Sequence, residues 1–275
     1  DNNVTLSVGE GEEGSESSVV YARGELQLGI LIEEMRREGY EMSVSPPRIV
    51  LDEREDGVYE PWEEVTVDVD SEHSGTVMNM LTGDRKATMT ESQEVDGKAR
   101  MKFEMPTRAL LGFGPEAATA TRGSAVVNHT FLEMREHAGP LGIALEKGKL
   151  VSSEQGKSTS YALNMVGERG ELFIEPGEEV YAGMVIGENS RQADLEVNPV
   201  KAKALTNMRT TLKEEKASFS AVRRLSVEDL ISYMNDDEVI EVTPKSVRLR
   251  KKVLDAGQRQ RAAKSKKQQR EASKK

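Results

Sequence analysis

The sequence contains no cysteine, one tryptophan, 4% aromatic residues in all, and no apolar run of about 18 residues. The absence of cysteine excludes a disulfide scaffold, a thiolate metal site and a cysteine nucleophile. The absence of a long apolar run excludes a membrane-spanning helix. With 275 residues and 31% charged side chains, the chain is predicted to form two or three modest cores and not one large core.

Motifs for nucleotide or metal chemistry are missing or broken. A GxGxxG match at residues 9–14 contains three glutamates, whose charge would repel a pyrophosphate, so we interpret it as an acidic loop. The triplet at residues 156–158 ends like a phosphate-binding loop, but Val151 occupies the position of the required first glycine. No metal-binding spacing is formed by His73, His129 and His137. We therefore predict no catalytic residue, cofactor or metal site, and no enzyme activity of this chain alone.

The net charge of −10 is distributed unevenly. Residues 245–275 contain thirteen lysines and arginines against two acidic residues, a net charge of +11, so the remainder carries −21. A basic tail on an acidic body predicts an anionic partner, most simply nucleic acid. The alternative is a solvated terminus that binds nothing specific.

A second basic segment, residues 197–213, carries four bases and no acid. Cationic side chains together with amides and hydroxyls suit a phosphate backbone. Because the segment lacks aromatic residues, stacking of splayed bases is not expected. The segment therefore predicts backbone and shape contact with folded RNA, and a lysine-rich surface loop is the alternative.

Residue patterns divide the chain into three regions of α+β character. The first, up to residue 51, predicts half a domain: strands at 4–8 and 18–22, a helix at 24–37 and an extended piece at 42–44. Residues 52–61 are acidic and turn-rich and predict a linker. The second region predicts a complete ferredoxin-like β-α-β-β-α-β domain, with strands at 64–70, 86–91, 100–105 and 124–131 and helices at 75–81 and 107–118.

The third region, residues 148–250, is predicted to be rich in strands, with one short helix capped by Ser226 at 227–234. Residues 189–216 lack periodicity and predict a long loop, of a length that is usually functional or disordered. From about residue 251 the chain is of low complexity and predicted to be disordered. The predicted strands are 149–153, 159–165, 171–174, 179–187, 239–242 and 247–250.

Several segments resemble the BipA/TypA family of translational GTPases, relatives of elongation factor G. The resemblance is strongest in KAKALTNMR at 201–209 and DEVIEVTPKSVRLR at 237–250. It is also present in ARGELQL at 22–28, EEMRREG at 33–39, PTRALLGF at 106–113 and GERGELF at 167–173. Two positions depart from the family pattern: Ala22 replaces a usual glycine and Gln27 a usual histidine.

The resemblance implies a partial third domain at 1–51, a fifth, ferredoxin-like domain at 52–143, the family's own β-rich C-terminal domain at 144–252 and a basic tail at 253–275. It implies that the parent protein is a ribosome-binding, GTP-hydrolysing translation or ribosome-assembly factor, with GTP and Mg held in a G domain outside residues 1–275. The long loop is implied to reach toward the peptidyl-transferase region and the A-site tRNA.

The partners implied are ribosomal RNA and A-site tRNA, with no membrane, and a monomer is expected in the cytoplasm or an organelle stroma or matrix. A stand-alone acidic protein-interaction module that has lost the GTPase role is the alternative. The residues predicted to contact RNA are Arg191, Lys201, Lys203, Asn207, Arg209, Lys213, Arg248, Arg250, Lys251 and Lys252.

Overall fold

The computed structural model describes residues 6–11, 16–83, 85–141, 147–202 and 222–272. Its helices are α1 Glu25–Arg37, α2 Ser74–Thr82, α3 Thr107–Leu110, α4 Phe113–Ala120, α5 Ser160–Gly167, α6 Val227–Tyr233 and α7 Ala256–Ala272. Its strands are β1 Ser7–Glu10, β2 Ser18–Tyr21, β3 Met42–Val44, β4 Asp52–Arg54, β5 Gly57–Asp70, β6 Thr88–Val95, β7 Lys98–Pro106, β8 Val126–Glu136, β9 Lys149–Ser152, β10 Gly156–Lys157, β11 Gly170–Leu172, β12 Glu179–Val180, β13 Val185–Asn189, β14 Leu195–Val197, β15 Glu238–Val242 and β16 Val247–Lys251.

The chain folds into two compact units, and the helices and sheets of these units confirm the predicted α+β class. One unit is formed by Pro47–Leu145, and the other by Asp1–Pro46 together with Glu146–Lys275. Among the described helices, none is both long enough and apolar enough to cross a bilayer.

The unit at 47–145 has the ferredoxin-like arrangement that the sequence predicts. Its antiparallel sheet runs β6-β7-β5-β8, and β4 extends it along the start of β5. Alternate residues of β5 and β7 point to one face, which α2 and α4 cover, so the period-two pattern of these strands builds the core. The core is formed by Val65, Val67, Val69, Val77, Leu81, Met101, Phe103, Met105, Phe113 and Ala117.

Two predictions for this unit are wrong. The predicted linker at 52–61 is a β-hairpin, β4 paired with the start of β5, in which Arg54 lies over the ring of Tyr59. Acidic turn residues therefore mark a tight hairpin turn there and not a domain boundary. The predicted helix at 107–118 is two helices, because Gly112 takes a φ of +68° between them.

The other unit contains a four-stranded sheet, β11-β13-β9-β14, and a three-stranded sheet, β16-β15-β3. Strand β3 pairs with β15, and α1 packs on α6 around Ile32, Leu230 and Ile231. Gly29 permits this packing, since a Cβ there would lie 2.4 Å from Cγ of Glu228. Residues 1–46 thus share a compact unit with residues 146–275. The predicted domain boundary at residue 51 does not anticipate this association.

Two further predictions are wrong in this unit. The predicted strand at 159–165 is helix α5, and Thr159 caps it by accepting a hydrogen bond from the Ala162 amide. The tail predicted to be disordered contains α7, because its alanine, glutamine, lysine and arginine residues favour helix and Asp255 accepts a hydrogen bond from the Gln258 amide at its start. The predicted loop at 189–216 begins with a turn and strand β14. Residues 4 and 5 of the first predicted strand lie outside the described residues.

Candidate nucleic-acid interface

The predicted basic loop connects the two edges of the four-stranded sheet. It follows β14, which forms one edge, and the chain returns at Arg223, whose amide donates to the carbonyl of Leu172 in β11, the other edge. Crossing four strands takes about 14 Å, which some five extended residues would span. The connection from 203 to 221 is far longer than that. It lies outside the described residues, together with four predicted RNA contacts: Lys203, Asn207, Arg209 and Lys213.

The start of the loop is fixed by backbone hydrogen bonds. The hydroxyl of Thr159 donates to the carbonyl of Lys201 over 2.7 Å, and the Thr159 amide donates to the carbonyl of Pro199 over 2.9 Å. The Ser153 amide donates to the carbonyl of Val197 over 2.9 Å. The Lys201 side chain is exposed and has no ion pair within the described part of the chain. The position of its backbone is therefore set while its ammonium group stays available.

Arg191 lies in the turn between β13 and β14. Ser190 holds this turn to the end of α5, because its amide and its hydroxyl each donate to the carbonyl of Arg169 over 2.9 Å. Gly148 lies against the same turn, where a Cβ would come within 2.1 Å of the Arg191 carbonyl oxygen. The Arg191 side chain is exposed.

Arg169 is a further exposed cation that sequence reasoning missed. It lies next to Ser190, although 21 residues separate the two in sequence. The pairing of β11 with β13 brings them together, since Gly170 opposes Asn189. No local pattern in the sequence encodes that register, so no sequence signal identifies Arg169 as a neighbour of the loop.

A shallow groove of about 250 Å³ runs between α5 and β14. Its apolar wall includes Met165, Val166, Leu195 and Val197. Arg169 and Lys201 line it at opposite ends, because Thr159 at the start of α5 binds Lys201 and Arg169 follows the end of α5. The groove therefore places two cations beside the base of the loop.

Lys251, predicted to contact RNA, is buried. Its ammonium nitrogen lies 2.6 Å from Asp194, 3.1 Å from Asp237 and 3.0 Å from Glu238. Burial opposes its charge, but these carboxylates outweigh burial and raise the pKa of Lys251. A lysine enclosed by three acids is not available to a phosphate, so Lys251 is not retained as an RNA contact.

Lys149 lies in the same buried cluster, but nearby carboxylates compensate its positive charge less well than that of Lys251. Its ammonium donates to the Tyr233 carbonyl over 3.1 Å and lies 3.1 Å from the centre of the Tyr233 ring, while Glu238 is 3.8 Å away. Burial lowers the pKa of Lys149 to about 8, with the positive charge of Lys251 acting in the same direction and Glu238 opposing it. The cluster links β9, β15 and β16 to the residue before β14.

The three remaining predicted contacts differ in environment. Arg248 and Arg250 are half-buried on β16, where Arg248 opposes Glu241 of β15. Burial and a hydrogen bond to Glu241 raise the pKa of Tyr181, and the positive charges of the two arginines partly offset this rise. The charges of Arg248 and Arg250 therefore act in part on groups within the protein. Lys252 is exposed and donates to the Asp236 carbonyl over 2.6 Å.

Comparison with known protein families covers both units. Residues 147–256 match the TypA/BipA C-terminal domain, and residues 57–141 match the elongation factor G C-terminus. The first match includes Arg169, Arg191 and Lys201, and the second covers the ferredoxin-like sheet and its helices.

Curated relatives are similar over most of the chain. The protein named large ribosomal subunit assembly factor BipA of Bacillus subtilis (strain 168) is 45% identical over 251 residues, which is 90% of this chain and 41% of the relative. Proteins of the same name from Synechocystis and Salmonella typhimurium are 41% and 40% identical, covering 90% and 97% of this chain and 41% and 44% of the relatives. The chain thus spans about two fifths of the length of these relatives. It belongs to the TypA/BipA family, over that family's C-terminal portion.

Proposed function

We propose that this chain is the ribosome-binding portion of a TypA/BipA-type factor and that it docks on folded RNA of the large ribosomal subunit. The observation that carries the proposal is the acid-free basic segment at 197–213, in a chain whose net charge is −10. The relatives named as large ribosomal subunit assembly factors support the choice of partner.

The proposed contacts are the exposed cations at the base of the loop, Arg191, Arg169 and Lys201, together with Lys203, Asn207, Arg209 and Lys213 of the loop itself. Lysine and arginine neutralise phosphates, and amide side chains add hydrogen bonds to phosphate and sugar. Lys252 is an exposed candidate of the same type, whereas Arg248 and Arg250 are weaker ones because Glu241 lies beside them.

The proposed mechanism is electrostatic positioning without covalent chemistry. The hydrogen bonds from Thr159 and Ser153 fix the start of the loop to the start of α5 and the end of β9, so less backbone freedom is lost on binding. Contact near the A-site tRNA and the peptidyl-transferase region is the finer form of this proposal. Hydrolysis of GTP, with Mg, is proposed for the parent protein and not for residues 1–275.

The test is salt-dependent binding to purified large ribosomal subunits. The variant Lys201→Ala/Lys203→Ala/Arg209→Ala is expected to bind more weakly and to reduce the slope of log K against log salt by about 0.7–0.9 for each phosphate that is no longer neutralised, roughly 2 to 3 in total. The matched control, Arg23→Ala/Arg37→Ala/Lys98→Ala, removes the same charge from exposed positions elsewhere. Equal slopes for the two variants would refute the loop as the docking element.

The competing function is an acidic module that binds basic proteins. A pull-down after nuclease treatment separates the two functions. Recovery of ribosomal RNA in untreated samples, with loss of the subunit after treatment, is expected for RNA docking. Recovery of basic proteins regardless of treatment, without RNA, would favour the protein-interaction module.

A further inference from the structure

Helix α7 is a basic element that the family match does not include. The match to the TypA/BipA C-terminal domain ends at residue 256, where α7 begins. Its 17 residues contain six lysines and arginines, one glutamate, and no apolar residue larger than alanine. A helix without an apolar stripe has nothing to bury against a core, so packing alone does not account for it.

The first turn of α7 is nevertheless attached to the sheet. One terminal nitrogen of Arg259 donates to the carbonyls of Val253 and Leu254 over 2.6 and 2.7 Å. The other terminal nitrogen forms an ion pair with Glu196 of β14, and the Arg259 side chain is only 14% exposed. A partly buried pair of this kind is less screened by salt than a surface pair, so it can hold the helix in place.

Glu196 connects α7 to the proposed RNA-binding loop. It lies in the middle of β14, and Lys201 follows it by five residues in the same chain segment. Glu196 also lines the groove between α5 and β14 with Lys201 and Arg169. The ion pair with Arg259 therefore fixes the start of α7 next to the start of the loop.

Two described cations of α7 lie at its exposed surface. Arg261 and Lys264 are exposed and have no ion pair in the described part of the chain. Of the α7 cations whose side chains the structure describes, Arg259 alone is committed to an internal contact.

We propose that α7 is a second RNA-binding element, which binds the phosphate backbone of the same RNA as the loop and is held beside the loop by the Arg259–Glu196 ion pair. The identity of the partner rests on the proposed function. The chemistry favours RNA over a protein partner, because protein interfaces need apolar or aromatic residues at their centre and are poor in lysine. A cationic helix about 25 Å long suits a row of phosphates.

The first test removes charge from the exposed part of α7. The variant Arg261→Gln/Lys264→Gln is expected to reduce the salt slope of binding to large ribosomal subunits by about 1.4–1.8, equivalent to roughly 25- to 60-fold weaker binding at 0.1 M salt. Glutamine keeps the helix propensity close to that of lysine and arginine, so the helix itself is preserved. The matched control is Arg37→Gln/Lys98→Gln, which leaves α7 unchanged.

The second test concerns the ion pair, for which the two explanations predict opposite changes in RNA binding. Glu196→Gln removes a negative charge, so a purely electrostatic effect would strengthen RNA binding. If the pair holds α7 beside the loop, the same variant weakens binding several-fold, whereas the control Glu179→Gln, an equal change of charge at an exposed position of β12, does not. Combining Glu196→Gln with Arg261→Gln/Lys264→Gln should abolish the additional loss, since a positioning effect needs the cations that it positions. If Glu196→Gln weakens binding equally in the wild type and in Arg261→Gln/Lys264→Gln, then Glu196 contributes only to folding, and its positioning role is overturned.

The outcomes separate this inference from the proposed function. Weaker binding by the α7 variant with normal binding by the loop variant would support α7 and refute the loop. Weaker binding by the loop variant with normal binding and an unchanged slope for the α7 variant would overturn the inference alone. If neither variant changes binding, or if the chain binds basic proteins without RNA, both the inference about α7 and the proposed function are overturned.

Discussion

The ammonium nitrogen of Lys251 lies 2.6 Å from a carboxylate oxygen of Asp194, the residue that precedes β14. The other oxygen of Asp194 accepts a hydrogen bond from the Lys149 amide over 2.9 Å. Because β14 leads directly into the basic loop, this contact fixes the base of the loop. Lys251, which the sequence predicts to contact RNA, is therefore a buried residue that holds the base of the loop in place.

Replacing Lys251 is expected to destabilise its unit strongly. Lys251→Met leaves the buried carboxylate of Glu238 without the cation 3.0 Å away, and breaking such a pair costs about 3 kcal/mol. Urea unfolding followed by far-UV circular dichroism measures the loss, and hydrogen exchange of the β14 and β16 amides locates it. The neighbouring Lys252→Met is the control, because Lys252 is exposed and its replacement is expected to stay within about 0.5 kcal/mol. Equal stabilities of the two variants would contradict a structural role for Lys251.

Lys149 is expected to give the stability of the protein a pH dependence above pH 8. Burial lowers its pKa to about 8 in the folded state, below the value of 10.5 for a free lysine. Between these values the unfolded chain binds more protons than the folded chain, so the contribution of Lys149 to the free energy of unfolding rises with pH, by at most about 1.4 kcal/mol per pH unit. The comparison is wild type minus Lys149→Met, measured between pH 7.5 and 9.5. A difference that stays flat or falls with pH would show that the pKa of Lys149 is not lowered in the folded state.

Sequence patterns predicted the ferredoxin-like unit well because its strands alternate with period two and its core comes from one continuous segment. Val65, Val67 and Val69 point to one face of β5, as their spacing implies. Helix α5 is not evident from the sequence because Tyr161, Leu163 and Met165 also fit a short alternating run. The cap that decides between the two is a single hydrogen bond.

The site was only partly predictable for a different reason. The charge of the loop is a local property and is visible in the sequence. Whether a lysine near it is exposed depends on strands that meet from distant segments, as Lys251 of β16 meets Asp194. Arg169 likewise becomes a neighbour of Arg191 through the register of β11 and β13.

Glu60 is expected to stabilise the ferredoxin-like unit in a pH-dependent way. Its side chain is fully buried, pairs with Arg108 and accepts a hydrogen bond from the Ala138 amide over 2.7 Å. Burial alone would raise the pKa of Glu60, but these hydrogen bonds and the charge of Arg108 hold the pKa below its ordinary value of 4.5. A carboxyl group with a lowered pKa contributes stability above pH 4.5 and loses it as the pH falls through the folded-state value.

The variant Glu60→Gln should therefore cost about 2–3 kcal/mol at pH 7, and the difference from wild type should shrink as the pH is lowered below 4.5. Fluorescence of Trp62, the single tryptophan, reports the unfolding of this unit. Glu94→Gln, at an exposed position on β6, serves as the control and should show no such dependence. A cost that is independent of pH would mean that shape, and not charge, explains the role of Glu60.

Thr159 is expected to affect RNA binding beyond its effect on stability. Thr159→Ala removes the cap of α5, which costs about 1 kcal/mol, and also removes the donor to the Lys201 carbonyl. Ser226→Ala removes the cap of α6 at a similar cost but leaves the hydrogen bond from Thr159 to the Lys201 carbonyl in place. Binding to large ribosomal subunits should weaken several-fold for Thr159→Ala, stay unchanged for Ser226→Ala, and recover in Thr159→Ser, which keeps the hydroxyl group. If both alanine variants weaken binding equally, the effect follows from reduced stability, and the hydrogen bond from Thr159 to Lys201 has no separate role in positioning the loop.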